Sequence, residues 1–168
     1  MSTPQNYLKL NVGFIVNQGV GYTREFPLDV SNIRLPPDLE LNELTGTVKV
    51  TRTAQGLLVQ VKARSTVLLE CGRCLTDFSQ SIESDFTDLY AFSPRTISES
   101  GLLLPETAQI DLAPVLREEM LLAIPSSPLC KEDCLGLCPI CGENRNEVTC
   151  HHDDEDIDPR FSVLKSLL

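Results

Sequence analysis

The sequence predicts an α+β chain: a mostly antiparallel N-terminal β-region, one amphipathic helix, a cysteine-rich zinc loop and a short C-terminal helix. Three observations carry this prediction. From Thr45 to Ala91, β-branched and apolar residues recur with a period of two, broken by a turn. From Leu112 to Ala123 the apolar residues change to helical spacing. From residue 126 to 157 both periods stop, and five of the seven cysteines gather there with both histidines.

The elements follow in chain order. Tyr7, Leu8 and Leu10 open a short apolar run that Val12 to Val16 continues, and beyond these runs residues 1–44 give no legible fold. Thr45 to Thr53 alternates, with Val48 and Val50 on one side and Lys49 and Thr51 on the other. Ala54-Gln55-Gly56 reads as a turn, after which Leu57, Val59, Val61 and Ala63 alternate against Leu58, Gln60, Lys62 and Arg64, so a hairpin is expected. Thr66 to Glu70 reads as a third strand and Thr76 to Ala91 as its return, with Cys71-Gly72-Arg73-Cys74 at the corner. Pro94, Ser98, Ser100, Gly101 and Pro105 mark a loop. Asp111 reads as an N-cap, Pro114 is tolerated in the first turn, and Leu112, Val115, Leu116, Met120 and Ala123 form an apolar stripe that Pro125 ends. Asp158 caps a second helix with Pro159 at its first position and Phe161, Leu164, Leu167 and Leu168 on one face. These elements suggest a β-rich part with its closing helix over 1–125 and a cysteine-rich tail with a terminal helix over 126–168, packed as one unit.

The cysteines carry the chemistry. Cys130, Cys134, Cys138 and Cys141 follow C-x3-C-x3-C-x2-C, and Cys150 with His151-His152 comes after eight further residues. Two thiolates two residues apart grip one tetrahedral ion when the chain turns tightly between them, and Gly142 suits the positive φ of such a turn. Soft thiolates with an imidazole favour zinc over magnesium or calcium. The simplest reading is one structural zinc on Cys130, Cys134, Cys138 and Cys141, with Cys71, Cys74, Cys150 and His152 as additional or alternative ligands. One alternative places Cys71 and Cys74 with Cys138 and Cys141 in a single four-cysteine site. Other readings of the cluster are free thiols, a redox Cys-x-x-Cys and an iron–sulfur centre. Redox chemistry of that motif needs a strand-to-helix setting to depress a thiol, whereas Cys138 and Cys141 sit in a Gly/Pro loop. The acidic run Asp153 to Asp156 reads as a solvated stretch ahead of a helix N-terminus.

Composition narrows the function. No apolar run reaches the roughly 18 residues of a membrane span, and the N-terminus does not read as a signal peptide, so a cytoplasmic chain is expected, or a plastid one in a photosynthetic eukaryote. Clustered cysteines in a reducing compartment are metal ligands more often than disulfides. Net charge is −10 and unevenly placed: residues 1–75 carry 8 Lys/Arg against 6 Asp/Glu, residues 76–168 carry 6 against 18. Only the N-terminal half offers a basic face, from Lys49, Arg52, Lys62, Arg64 and Arg73, and the acidic half suits a basic protein partner. There is no phosphate-binding glycine loop and no nucleophile paired with a base, so neither an enzyme nor a small-molecule substrate is expected.

The segments VLLECGRCLTDFSQSIE, IDLAPVLREEMLLAIPSSPLC, CKEDCLGLCPICGENRNEVTC and DIDPRFSVLKSL together resemble the YceD family over roughly residues 45–168. The GLCPICG knuckle and the DPRF-x-x-L end are the strongest matches. The resemblance implies a non-enzymatic factor supporting synthesis, processing or stability of large-subunit (23S) ribosomal RNA. It implies ribosomal RNA, a pre-ribosomal particle or a basic ribosomal protein as partner. It places Cys71, Cys74, Cys130, Cys134, Cys138 and Cys141 at the family's cysteine positions. Where a Cys-x-Cys often ends the family cluster, this chain has Cys150 followed by His151-His152. The rival reading is a zinc- or redox-responsive regulatory or interaction protein.

Overall fold

The computed structural model describes residues 7–96 and 101–152; the helix expected from Asp158 lies outside the described residues. The chain forms two compact units. One comprises residues 1–69 and 78–128, the other residues 70–77 and 129–168. A boundary at residue 125 therefore misses the Cys71–Cys74 corner, which groups with the tail. Most of the regular secondary structure among the described residues is antiparallel sheet, with one short and one longer helix, as an α+β class requires.

The first unit is built on a four-stranded antiparallel meander of β2 (Thr23–Leu35), β3 (Leu39–Arg52), β4 (Gly56–Glu70) and β5 (Asp77–Ala91), in that spatial order. Two short strands, β1 (Lys9–Asn11) and β6 (Gln109–Asp111), pair antiparallel with Leu10 opposite Ile110. Between β1 and β2 lies a single helical turn, α1 (Gly13–Val16), and β6 leads into α2 (Ala113–Ala123). The expected third strand at Thr66–Glu70 is no separate element. β4 runs unbroken through it, because its inward residues keep one phase: Leu57, Val59, Val61, Ala63, Ser65 and Val67 are all buried.

β3 does not keep one phase. Leu39 and Leu41 face the core, then Leu44, Val48 and Val50 do, so the inward set slips by one residue. A bulge between Asn42 and Thr45 absorbs the slip in the β3–β4 ladder, with Glu43 at φ 53°. The Ser65 hydroxyl donates to the Asn42 carbonyl at 2.7 Å, satisfying a buried polar group at the bulge. β2 slips in step, from Leu28 and Val30 to Ile33 and Leu35, so its register with β3 is preserved. Pro27 is tolerated because β2 is an edge strand. Gly46 is required where β3 crosses β4: a Cβ there would lie 2.1 Å from the Lys62 carbonyl oxygen.

The Asp111 carboxylate accepts the Ala113 N–H at 3.0 Å, so it caps the start of α2, one residue before the position where a helix cap usually sits. Leu116 and Met120 bury the inner face of α2, and Pro125 follows its last residues. The core is almost wholly aliphatic, as the scarcity of aromatics demands, with Leu8, Ile33, Leu41, Leu44, Leu57 and Leu116 among its fully buried members.

Candidate metal centres

The second unit brings together all seven cysteines, but as two clusters of four donors each. Cys71, Cys74, Cys130 and Cys134 form one; Cys138, Cys141, Cys150 and His152 form the other, and within each the donor atoms all lie within 4.8 Å of one another. The C-x3-C-x3-C-x2-C run is thus divided in its middle between the two clusters. Pairing of Cys71 and Cys74 with Cys138 and Cys141 does not occur. Each Cys-x-x-Cys meets a different, later pair.

Both knuckles have the same construction. In the first, the Leu75 N–H donates to the Cys71 carbonyl at 3.0 Å and the Cys71 N–H to the Thr76 carbonyl at 3.0 Å. In the second, the Gly142 N–H donates to the Cys138 carbonyl at 2.9 Å and the Cys138 N–H to the Glu143 carbonyl at 2.8 Å. The residue after the second cysteine is left-handed in each, Leu75 at φ 59° and Gly142 at φ 78°. The N–H groups of Cys130 and Cys74, helped by Arg73, lower the Cys71 thiol to about 6 against the opposing effect of burial. Those of Cys141 and Ile140 lower the Cys138 thiol to about 6.

Two of the remaining thiols move the other way. Burial, then the neighbouring thiols Cys74 and Cys134, push Cys130 up to about 12. The Cys141 thiol, then burial, pushes Cys150 up to about 11. Three or four thiolates in one small space repel one another; a dication would remove that penalty and displace the protons. The spacing fits such an ion. Cys71 and Cys134 Sγ are 3.8 Å apart, Cys74 and Cys130 Sγ 3.6 Å, Cys141 and Cys150 Sγ 3.6 Å, and His152 Nε2 lies 3.2 Å from Cys141 Sγ. A tetrahedron with metal–sulfur bonds of about 2.3 Å has sulfur–sulfur edges of about 3.8 Å. Both clusters are therefore compatible with metal binding.

Polar side chains orient the four-cysteine cluster. Asn146 Nδ2 donates to Cys134 Sγ at 3.3 Å, and its Oδ1 accepts the Leu135 N–H at 3.0 Å. Burial raises the Cys134 thiol, but the Asn146 amide and the Gly136 N–H bring it below its usual value. Asn144 Oδ1 accepts from Asn146 at 2.8 Å while Asn144 Nδ2 donates to Thr76 Oγ1 at 3.3 Å, and Thr76 Oγ1 is 3.4 Å from Cys74 Sγ. Neither asparagine nor Thr76 stands out in the sequence, because second partners of sulfur have no fixed spacing. The division into two sites did have a signal: seven cysteines and one histidine make two complete sets of four.

The expected basic face is not one patch. Lys62 pairs with Asp85 at 3.2 Å and Arg64 with Glu83 at 3.4 Å, because outward positions of β4 face acidic β5. The Arg52 guanidinium donates to the Val16 carbonyl at 3.1 Å and lies 4.4 Å from the Phe92 ring centroid. Arg73 belongs to the other unit, where it donates to the Cys134 carbonyl at 3.0 Å. Lys49 is exposed and faces Glu25 across the β2–β3 ladder. Among the described residues no helix is long and apolar enough to cross a membrane.

Comparison with known proteins agrees with the cysteine pattern. The family model described as Large ribosomal RNA subunit accumulation protein YceD matches residues 59–168. The uncharacterized protein Rv2926c of Mycobacterium tuberculosis is 32% identical over 127 residues, 72% of this chain and 60% of that protein. The uncharacterized protein YlbN of Bacillus subtilis is 30% identical over 145 residues, 77% of this chain and 84% of that protein. The matched region thus spans about 60% of the length of the mycobacterial relatives. No solved structure matches the chain. The family match takes in β5, α2, both knuckles and every donor of both clusters, and on it the chain belongs to the YceD family.

Proposed function

We propose that this protein is a non-enzymatic factor that supports synthesis, processing or stability of large-subunit ribosomal RNA, with a small unit braced by two zinc ions. The observation that carries this reading is the family match over residues 59–168, whose description concerns accumulation of the large ribosomal RNA subunit. Zinc is favoured over other metals by the donor sets, four thiolates in one cluster and three thiolates with an imidazole in the other. A full set of four protein donors leaves no position for a reactive water, which supports a structural role rather than hydrolysis.

The charge distribution favours a protein-mediated route to RNA. Phosphate binding by counterion release needs a cluster of unpaired positive charges, and Lys62 and Arg64 are already paired with carboxylates. A net charge of −10 suits a basic ribosomal protein, free or within a pre-ribosomal particle, instead. Deletion of the gene is expected to lower the ratio of large- to small-subunit ribosomal RNA without loss of unrelated transcripts, and affinity capture is expected to recover ribosomal proteins. A normal ratio after deletion, with no ribosomal component captured, rejects the reading and favours the zinc- or redox-responsive regulator.

A further inference from the structure

The two clusters differ in how open they are. We propose that the Cys138–Cys141–Cys150–His152 cluster is an exchangeable, oxidisable zinc site in which Cys141 and Cys150 are the pair converted to a disulfide, while the four-cysteine cluster keeps its metal. This rests on the reading of both clusters as zinc sites.

Access is the first argument. In the four-cysteine cluster Cys71, Cys74 and Cys134 are 0%, 5% and 3% exposed and only Cys130 is half-buried. In the other cluster only Cys138 is buried; Cys141 and His152 are exposed and Cys150 is half-buried. Sulfur reactivity follows thiolate character and exposure, so a reagent in solution meets Cys141 first. Support is the second argument. Cys134 accepts from Asn146 and Cys74 is bonded to Thr76, and each bond holds its sulfur in place. Among the described residues, the side-chain partners of Cys141 and Cys150 are each other and His152, all of them donors of the same site. Chain separation is the third. Cys141 and Cys150 are 9 residues apart with sulfurs 3.6 Å apart, so closing them into a bond shortens a short loop.

The reaction balances with hydrogen peroxide as oxidant. One thiolate attacks the peroxide O–O bond, giving a sulfenic acid and hydroxide. The second thiolate attacks that sulfur, the Cys141–Cys150 S–S bond forms, and a second hydroxide leaves. Two electrons pass from the two sulfurs to one peroxide. Cys138 and His152 are left as two donors, too few to retain a tetrahedral ion, and zinc departs hydrated.

The test uses the full chain after its zinc content has been measured by elemental analysis. A chain that never takes up two equivalents fails the underlying zinc reading. On a chain holding two, hydrogen peroxide is added, released zinc is followed with a coloured chelator, and disulfides are mapped by differential alkylation and mass spectrometry. One equivalent is expected to leave at least about tenfold faster than the other, in step with a Cys141–Cys150 disulfide, and a thiol reductant with added zinc is expected to restore it. Cys150→Ser is expected to abolish that disulfide while the four-cysteine cluster keeps its metal. Release of both equivalents at one rate, first release from the Cys71 cluster, or first release linked to a Cys138–Cys141 bond overturns the inference.

Discussion

The two Cys-x-x-Cys knuckles reach the same turn from different sequences. After Cys141 the left-handed position is held by Gly142, which adopts it freely; after Cys74 it is held by Leu75, for which that conformation is unfavourable by roughly 1–2 kcal/mol. Leu75 is 56% exposed, so packing of its side chain does little to offset the strain. What holds the first knuckle is its place in the chain. It follows directly on β4 and leads into β5, and its cluster joins sulfurs as far as 63 residues apart, whereas donor contacts in the other cluster span 9 and 11 residues. The glycine knuckle needs no such support, and its sulfurs are the more exposed. Identical local geometry therefore serves two purposes, one closing a long stretch of chain and one closing a loop on itself.

The largest way to break this comparison is to remove a sulfur from each cluster. Cys134→Ser is expected to destabilise the zinc-loaded protein by several kcal/mol, since structural zinc binding supplies folding free energy. Cys150→Ser is expected to cost less, because closing the longer loop constrains the unfolded chain by roughly 1–2 kcal/mol more. Denaturant unfolding at saturating zinc measures both; equal losses would show that chain separation plays no part.

Exchanging the knuckle residues sharpens the comparison. Leu75→Gly is expected to stabilise the protein, by less than about 1 kcal/mol because glycine also gains freedom in the unfolded chain. Gly142→Leu is expected to destabilise it by about 1 kcal/mol. Thermal melting of the two variants reads the opposite signs. Two shifts of the same sign would mean that the knuckles are not equivalent.

A further test is pH dependence without metal. Cys71 and Cys138 are lowered from 9.0 to about 6, so between those values the unfolded chain binds more protons and stability rises with pH; that contribution is lost as pH falls through about 6. Cys130 and Cys150 are raised to about 12 and 11, so above 9 the folded chain binds more protons and stability falls as pH rises through those values. Metal-free protein is therefore expected to melt highest near pH 9, in scans with a chelator present. A melting temperature that keeps rising past pH 11 contradicts the assignment of the raised thiols.

The sequence and the structure agree where one physical signal dominates. Val48, Val50, Val59 and Val61 alternate without interruption, so the β3–β4 hairpin was legible with its faces. Leu116 and Met120 keep helical spacing, so α2 was legible too. Residues 23–35 were not, because β2 changes phase between Val30 and Ile33 and carries Pro27, and a single phase is what a period-two reading needs. In the small unit the donors were legible and their partition was not. Spacing along the chain shows which sulfurs can share a turn, as in each knuckle, but not which later pair a knuckle meets. That depends on the path between Cys74 and Cys130, which spacing does not encode. The basic face failed for a related reason: Lys62 and Arg64 are outward, as alternation predicts, but their carboxylate partners come from β5.

Eight donors form two separate clusters, with each knuckle in a different one. Elemental analysis of the purified protein beside Cys71→Ser and Cys138→Ser tests most directly the claim that these are two separate metal sites. Two zinc ions per chain are predicted for the unaltered protein and one for each variant. One zinc in the unaltered protein, lost entirely in either variant, would contradict the claim and restore a single site shared by both knuckles.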